Sequence, residues 1–209
     1  ILQDSFNVAV LSRGYKRKSK GFQLADMESD AYDIGDEPKQ LKNKFPEVHV
    51  AVDKKRADGI EKLQNQIKDL DIVLLDDAFQ HRYVKPGLSI LLIDYNRPIE
   101  KDHLLPYGRL RESMHEKRRA NIIIVTKTPR KLKPIEQRII SKNLDLMAFQ
   151  SIFFTTLKYG KIRPVYNLYD IQREPISIRD IKAKNALLIT GIAQDKPLRE
   201  DGNKNKDKG

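Results

Sequence analysis

Short runs of almost continuously apolar residues recur along the chain and predict buried β-strands. Four clear runs lie at residues 7–12, 71–76, 88–94 and 121–126, and a weaker fifth run lies at 48–52. A strand that is covered on both faces of a parallel sheet has this short, unalternating apolar pattern. The pattern therefore favours a sheet that is buried on both sides.

Two segments between or after these runs have the spacing of amphipathic helices. In the segment 54–69, Ile60, Leu63 and Ile67 recur at intervals of three and four residues among polar positions, and segment 133–146 repeats this arrangement. Strands that alternate with such helices are typical of α/β domains. The sequence predicts a doubly wound, mostly parallel α/β sheet.

The sequence changes character after residue 148. Aromatic and β-branched residues around a glycine at 149–168 predict a two-stranded ribbon, which forms either the edge of the sheet or a hinge to another domain. A last apolar run at 186–190 is followed by a polar tail. We expect an α/β domain at 1–148, a ribbon hinge and linker at 149–185, and the truncated start of a second α/β domain at 186–209.

Charge narrows the class of partner. Lys and Arg number 40 against 29 Asp and Glu, a net charge of +11, which favours an anionic partner: nucleic acid, a phosphorylated small molecule or an acidic lipid surface. The absence of cysteine excludes disulfides, thiolate metal sites and a cysteine nucleophile. No apolar run approaches the roughly 18 residues of a spanning helix. Because the chain begins at Ile1, we expect it to start inside a longer protein.

Basic residues follow the first predicted strand. The turn at 12–17 reads Ser-Arg-Gly-Tyr-Lys-Arg. In an open α/β sheet, ligands bind beyond the carboxyl ends of the strands, so Arg13 and Arg17 are candidates to bind phosphate groups. A solvated basic loop is the alternative.

Two adjacent acids, Asp76 and Asp77, end the second clear run and precede Ala-Phe-Gln and His81. A short apolar strand that ends in an acidic residue is the pattern of a Walker B motif, whose aspartate holds Mg²⁺ beside a nucleotide. A strand that merely ends in aspartate has the same pattern, so a structural role stays open.

Two further segments carry candidate chemistry. Asp36 and Glu37 lie between a glycine and a proline, which indicates either a rigid turn or an aspartate presented to a substrate hydroxyl as a base. Arg109, Arg111 and Glu112 belong to a Gly-Arg-Leu-Arg-Glu segment that can hold a phosphate and a metal or form a surface salt-bridge cluster. The phosphate-loop pattern Gly-x-x-x-x-Gly-Lys-[Ser/Thr] does not occur in the sequence.

Five motifs together resemble the tetraacyldisaccharide 4′-kinases of lipid A biosynthesis. They are Ser-Arg-Gly-Tyr at 12–15, Gly-Asp-Glu-Pro at 35–38, Asp-Asp-Ala-Phe-Gln-His at 76–81, Leu-Pro-Tyr-Gly-Arg-Leu-Arg-Glu at 105–112 and Val-Thr-Lys at 125–127. The resemblance implies a P-loop NTPase-like domain joined by a ribbon to a smaller α/β domain. It also implies transfer of phosphate from ATP, with Mg²⁺, to the 4′-hydroxyl of tetraacyldisaccharide 1-phosphate. The place of action would be the cytoplasmic face of the bacterial inner membrane, bound peripherally to its anionic surface.

The resemblance also implies roles for single residues. The expected catalytic residues are Asp36 and Asp77, of which Asp36 would activate the acceptor hydroxyl. The expected ligands of ATP and its metal are Asp76, Asp77, Arg111 and Glu112, with Mg²⁺ held by Asp76, Asp77 and Glu112. The expected substrate-binding residues are Arg13, Tyr15, Arg17, Glu37, His81 and Arg109.

The chain departs from the family pattern in ways that affect activity. The family carries its phosphate loop just upstream of the Ser-Arg-Gly-Tyr segment, draws on histidines in its second domain and has glycine where Ala78 lies here. We therefore expect the 209 residues alone not to catalyse transfer efficiently. Two alternatives stay open. One is a basic nucleic-acid-binding module using 13–20 and 127–142, although no RNP-like motif accompanies the charge; the other is a non-catalytic P-loop-like scaffold.

Overall fold

A computed structural model describes residues 1–158 and 160 of the chain. It contains two compact units, Ile1–Thr155 and Thr156–Gly209. The second unit falls almost entirely outside the described residues. The same holds for the second strand of the expected ribbon, the linker up to residue 185 and the expected strand at 186–190, which stay predictions.

The first unit alternates strands and helices. In chain order the elements are β1 Val8–Ser12, β2 Gln23–Ala25, α1 Ala31–Ile34, α2 Asp36–Lys44, β3 His49–Val52, α3 Arg56–Gln66, β4 Ile72–Leu75, β5 Ile90–Asp94, β6 Ile122–Thr126, α4 Pro134–Asn143 and β7 Ser151–Phe154. All five apolar runs and both amphipathic segments of the sequence analysis are thus confirmed as strands and helices. The short elements β2, α1 and α2 were not predicted, because three to nine residues carry too little periodicity to be recognised.

The strands form two sheets rather than the single predicted sheet. One sheet has the order β2-β3-β1-β4, with β2 antiparallel to β3 and the other pairs parallel; the second has the order β5-β6-β7 and is parallel throughout. The α/β class is confirmed, whereas the continuous sheet is not. The sheet is divided because β4 and β5 do not pair with each other. Both strands leave apolar side chains exposed, and Leu92 of β5 is 64% exposed.

The described part of the expected ribbon is a sheet edge. Strand β7 pairs in parallel with β6, from Ile122 opposite Ser151 to Val125 opposite Phe154. Its alternate residues Ile152 and Phe154 pack on the core of the second sheet. Among the described residues, Ser151–Phe154 is the outer strand of the second sheet, and the ribbon hinge at 149–185 stays a prediction.

The first sheet is covered by helices on both faces. Val8, Val50 and Val52 point to one side, where α1 and α2 contribute Ile34 and Leu41. The alternate residues Ala9, Leu11 and Ala51 point to the other side and pack against Leu63 of α3 and Ile67, which follows the helix. This two-sided burial explains why the strands read as continuous apolar runs.

The second sheet has its own core, and one residue of a distant loop enters it. Ile93, Ile123, Val125 and Leu144 are buried together, and Phe79, from the loop that follows β4, packs against them. The loop after the first sheet is therefore attached to the second sheet by hydrophobic contact.

Close packing of α3 on β1 depends on Gly59. A Cβ atom at this position would lie 2.9 Å from Leu11 Cδ2 and 3.1 Å from Asp53 Cβ. Alanine normally stabilises a helix relative to glycine by about 1 kcal/mol, but overpacking a core typically costs about 1–3 kcal/mol. We expect Gly59→Ala to destabilise the fold in urea unfolding. The exposed Asn65→Ala in the same helix is the control and should not; a Gly59→Ala variant of raised stability would contradict the packing argument.

Candidate functional site

Parallel pairing brings three strand ends to one edge of the first sheet. Ser12 lies opposite Val52, and Leu11 lies opposite Leu75. The backbone N–H of Asp53 donates to the Ser12 carbonyl at 3.0 Å, and that of Asp76 donates to the Leu11 carbonyl at 3.1 Å. The basic turn after β1 and the acids after β3 and β4 therefore share one edge.

The turn after β1 lies directly against the turn that precedes α2. Gly14 and Gly35 have positive φ values of 68° and 96°. A Cβ on Gly35 would lie 3.2 Å from the Tyr15 carbonyl, and a Cβ on Gly14 would lie 2.9 Å from the Ile34 carbonyl. This backbone contact brings the exposed Tyr15 and Asp36 into the same part of the surface.

Asp36 begins a helix instead of lying in a rigid turn. Gly35 is the N-cap of α2, and Asp36 and Glu37 form its acidic first turn, with both side chains exposed. Negative charge at this end of a helix is favoured by the helix dipole. The carboxylate of Asp36 is thus both accessible and held by regular structure.

The two arginines of the basic turn differ in their availability. The guanidinium of Arg17 donates to the carbonyl of Gly21 at 2.5 Å, to Ser19 Oγ at 3.2 Å and to the carbonyl of Val52 at 3.5 Å. Burial lowers the pKa of Arg17, and the charge of Asp53 partly offsets this. Arg17 is engaged in shaping its own loop, whereas Arg13 is exposed.

The acid pair after β4 has a constrained backbone. Asp77 adopts a left-handed conformation, with φ of 45°, and is exposed, while Asp76 is half-buried. Aspartate and asparagine tolerate this conformation better than most residues. The reversal turns the chain at Asp77 into the loop that carries Phe79 and His81.

Arg56 is a member of the site that the sequence analysis missed. Its Nη1 donates to the Asp53 carbonyl at 2.6 Å and its Nη2 to the Asp76 carbonyl at 3.1 Å, and the residue is 3% exposed. Because β1 lies between β3 and β4, the side chain crosses the end of β1. One feature of the sequence could have identified it. Arg56 lies four residues before Ile60 and therefore belongs to the same face of α3 as the apolar residues.

Electrostatics ties Arg56 to the acids of the edge. Burial lowers the pKa of Arg56, the negative charges of Asp76, Asp77 and Asp53 oppose that shift, and the positive charge of Arg13 adds to it. The guanidinium is therefore a fixed counter-charge within range of the acid pair.

His81 lies in the same loop as the acids. Its backbone N–H donates to the Ala78 carbonyl at 2.8 Å, and its ring meets that of Tyr83 edge-on at 5.6 Å between centroids. Its buried Nδ1 has no hydrogen-bond partner.

The Gly-Arg-Leu-Arg-Glu segment divides into exposed cations and an engaged acid. Arg109 and Arg111 are exposed, and the backbone N–H of Arg109 donates to Asp102 Oδ1 at 3.1 Å. Glu112 instead forms ion pairs with Arg82 and Arg119. The structure thus directs Glu112 toward two guanidinium groups.

The three carboxylates that the resemblance assigns to Mg²⁺ are not gathered into one cluster among the described residues, and their metal role stays a prediction. In the part of the chain that the structure describes, no group of three or more histidine, aspartate or glutamate side chains is arranged to hold a metal ion. Asp76, Asp77 and Glu112 are therefore not gathered as one ligand set. The Glu112 carboxylate instead accepts from Arg82 through Oε1 and from Arg119 through Oε2.

The second sheet ends in an ion pair between two neighbouring strands. Lys127 Nζ lies 2.6 Å from Asp94 Oδ2, and Lys127 has a left-handed backbone, with φ of 58°. Partial burial raises the pKa of Asp94, but hydrogen bonds from Lys127 and Asn96 outweigh burial and hold the pKa below its ordinary value.

No helix within residues 1–158 is long and apolar enough to cross a membrane.

Comparison with known proteins agrees with the resemblance carried by the motifs. Residues 1–201 match the LpxK family, described as tetraacyldisaccharide-1-P 4′-kinase. The tetraacyldisaccharide 4′-kinase of Phocaeicola vulgatus is 50% identical over 204 residues, which are 96% of this chain and 55% of that protein. The enzyme of the same name from Bacteroides thetaiotaomicron is 50% identical over 207 residues, 96% of this chain and 54% of that protein.

A solved structure is similar in fold. A crystal structure of LpxK from Aquifex aeolicus, described as an "apo" form in complex with ATP, matches with a TM-score of 0.58 and 31% identity. The match covers 73% of this chain and 45% of that one. The chain spans about half the length of the curated relatives it matches.

Removal of the Arg56 guanidinium should destabilise the fold. Arg56→Met leaves the carbonyls of Asp53 and Asp76 without their donor, and an unsatisfied buried acceptor costs about 1–3 kcal/mol. Lys62→Met on the same helix is the control, because Lys62 reaches Asp53 only at 3.8 Å from a half-exposed position. Urea unfolding measures both; equal effects of the two variants would refute a special role for Arg56.

The pair between Asp94 and Lys127 should make stability depend on pH. Because folding lowers the pKa of Asp94, its contribution is fully present above the unfolded value of about 3.9 and is lost as pH falls through the lower folded value. Lys127→Met should therefore lower the free energy of unfolding at pH 7, and the difference from wild type should shrink below about pH 4. Lys55→Met, which breaks an exposed pair with Asp58, should have little effect at either pH.

Proposed function

The chain belongs to the tetraacyldisaccharide-1-P 4′-kinase family, and from this premise we propose that the protein carrying it transfers the γ-phosphate of ATP to the 4′-hydroxyl of tetraacyldisaccharide 1-phosphate. The observation that carries the proposal is the gathering of three of the family's five motifs, those at 12–15, 35–38 and 76–81, at the carboxyl edge of one sheet. Such an edge is where open α/β sheets bind their ligands. The reaction would be a step of lipid A biosynthesis.

The acceptor side of the reaction is assigned to Asp36 and Tyr15. Asp36 is an exposed carboxylate, and its role would be to accept the proton of the acceptor hydroxyl as that oxygen attacks phosphorus. Tyr15 reaches the same surface through the contact between Gly14 and Gly35 and offers an aromatic face and a hydroxyl to the disaccharide. Glu37 and His81 complete this side as substrate-binding residues.

Asp76 and Asp77 fit a magnesium ion that is shared with a nucleotide. Mg²⁺ is usually held by one or two protein carboxylates, with phosphate and water oxygens as its remaining ligands, so no larger cluster is required. The half-buried Asp76 and the exposed Asp77 supply such a pair, and Arg56 offsets their charge when no cation is present. A bound Mg²⁺ neutralises charge on the transferring phosphoryl group.

Three exposed arginines are proposed to hold the phosphates. Arg13, Arg109 and Arg111 are exposed, and their guanidinium groups match phosphate geometry. Arg17 would act indirectly, since its hydrogen bonds fix the turn that presents Arg13 and Tyr15.

ATP is proposed as the phosphate donor, in a nucleotide site of the P-loop NTPase type. Support comes from the Aquifex aeolicus relative, which is described in complex with ATP. The phosphate-loop pattern is missing from these 209 residues, so that part of the site would be supplied by sequence outside them.

We place the reaction at the cytoplasmic face of the inner membrane, with peripheral binding. The exposed Lys16, Lys18 and Lys20 lie in the same turn as Arg13 and Tyr15, next to the proposed acceptor site. Basic residues near an anionic bilayer contribute about 1 kcal/mol each to attraction. The lipid substrate would thus be met at the membrane surface.

Asp36→Asn and Asp77→Asn test this function in the natural protein that carries the sequence. Asparagine is isosteric and tolerates the left-handed backbone at position 77, so each variant should fold normally. We expect both to lower kcat by about 100-fold or more, in the range of general base and charge-stabilising groups. Asp77→Asn should also raise the Mg²⁺ concentration needed for half-maximal rate.

The assay follows transfer of labelled phosphate from ATP to the disaccharide acceptor. Asp58→Asn, at an exposed position of α3, is the matched control and should retain full activity. Full activity of both Asp36→Asn and Asp77→Asn would indicate a non-catalytic scaffold role for the acids.

A further inference from the structure

An ion-pair cluster joins the loop after β4 to the segment that precedes β6. We call it the Arg119 cluster; it consists of Phe79, Arg82, Glu112, Glu116 and Arg119. The first two residues belong to the loop that contains Asp77 and His81. The other three belong to the stretch 112–119, which leads into the second sheet.

Arg119 uses its whole guanidinium group in this cluster. Nη2 lies 2.5 Å from Glu112 Oε2, Nε lies 2.8 Å from Glu116 Oε2, and Nη1 donates to the Phe79 carbonyl at 2.8 Å. The Cζ atom also lies 4.5 Å from the centre of the Phe79 ring. A planar group that bonds at its edge and stacks on its face is held in both position and orientation.

The loop is fastened a second time three residues later. Arg82 Nη2 lies 3.4 Å from Glu112 Oε1 and 3.1 Å from Glu116 Oε2. Gln80 and His81 lie between the two anchor points. The first anchor, Phe79, also packs into the core of the second sheet.

The chemistry of the cluster distinguishes it from an ordinary surface pair. Single exposed ion pairs contribute little to stability, because solvent screens them and two long side chains lose freedom. Here two acids and two guanidinium groups form a network, the Arg119 side chain is only 34% exposed, and a backbone carbonyl and an aromatic ring complete it. Charge-assisted hydrogen bonds of this kind are about twice as strong as neutral ones.

We infer that Arg119 is a positioning residue that fixes the loop from Asp77 to His81 against the second sheet, with Glu112 as its anchor instead of a magnesium ligand. The inference rests on the proposed function, since its importance lies in the acids and the histidine that the loop carries. Arg119 touches none of the reacting groups itself; it acts through the Phe79 backbone.

Both oxygens of Glu112 have guanidinium partners. Oε1 accepts from Arg82 and Oε2 accepts from Arg119. A metal ion at Glu112 would compete with these guanidinium groups for the carboxylate oxygens and would weaken their hold on the loop. Asp76 and Asp77 carry no such ion pair among the described contacts.

Arg119→Met and Arg119→Lys test the positioning role, with Arg118→Met as the matched control at the exposed neighbouring position. Hydrogen exchange on the 209-residue chain gives the first readout. Arg119→Met should speed exchange of the His81 amide, which donates to the Ala78 carbonyl, by about tenfold or more, and should leave amides of β1 and β3 unchanged. Arg119→Lys keeps the charge but not the planar geometry, so it should be intermediate.

Kinetics of the natural protein gives the second readout. Misplaced catalytic groups lower kcat more than they weaken binding, so Arg119→Met should lower kcat about tenfold or more and leave KM for both substrates within about twofold. Glu112→Gln should leave the half-saturating Mg²⁺ concentration within about twofold and should speed exchange of the His81 amide.

The outcomes separate the two proposals. Unchanged exchange, or wild-type kcat in Arg119→Met while the unaltered protein transfers phosphate, overturns the positioning role alone. A tenfold rise in half-saturating Mg²⁺ in Glu112→Gln, with exchange unchanged, returns Glu112 to the metal site and overturns the anchor. Absence of transfer by the unaltered protein counts against the proposed function, and the exchange data then still decide whether Arg119 fixes the loop.

Discussion

The parallel pairing of β1 with both β3 and β4 is the constraint on which the candidate site depends. Parallel strands bring their carboxyl ends to one edge, so residues that are 64 positions apart in the chain, such as Ser12 and Asp76, become neighbours. The apolar side chains that hold these strands between helices carry no chemistry themselves. Their burial decides where the polar residues after each strand are placed.

Two arginines organise the polar layer above that edge. Arg56 crosses the end of β1 and bonds to the backbone after β3 and after β4, while Arg119 holds the following loop to the second sheet. Both bond to backbone carbonyls, so they fix the course of the chain on either side of Asp77 and leave its carboxylate exposed. An acid that stays accessible while its backbone is held can act on a ligand without rearrangement.

Much of this protein follows from its sequence. The apolar runs and helical stripes predicted the strands β1, β3, β4, β5 and β6 and the helices α3 and α4, because burial on both faces leaves a continuous apolar signature. The motifs identified the family, and three of them, at 12–15, 35–38 and 76–81, lie along the edge. Short elements such as β2 escaped prediction, because three residues show no period, and β7 could not be assigned to an edge or a ribbon without its partner strand.

Only the tertiary structure decided how charges are partnered, because an ion pair depends on distances that sequence spacing does not encode. The sequence placed Glu112 beside Arg111 and suggested a metal ligand, yet the fold turns its carboxylate toward Arg82 and Arg119. The sequence also predicted that Arg17 contacts the substrate. In the fold, its guanidinium group donates to the backbone carbonyls of Val52 and Gly21. The sequence by itself determined the strands, the family and the acids, since these depend on residue type and local order. The split into two sheets and the partners of each cation were decided by strand pairing and packing between residues far apart in the chain.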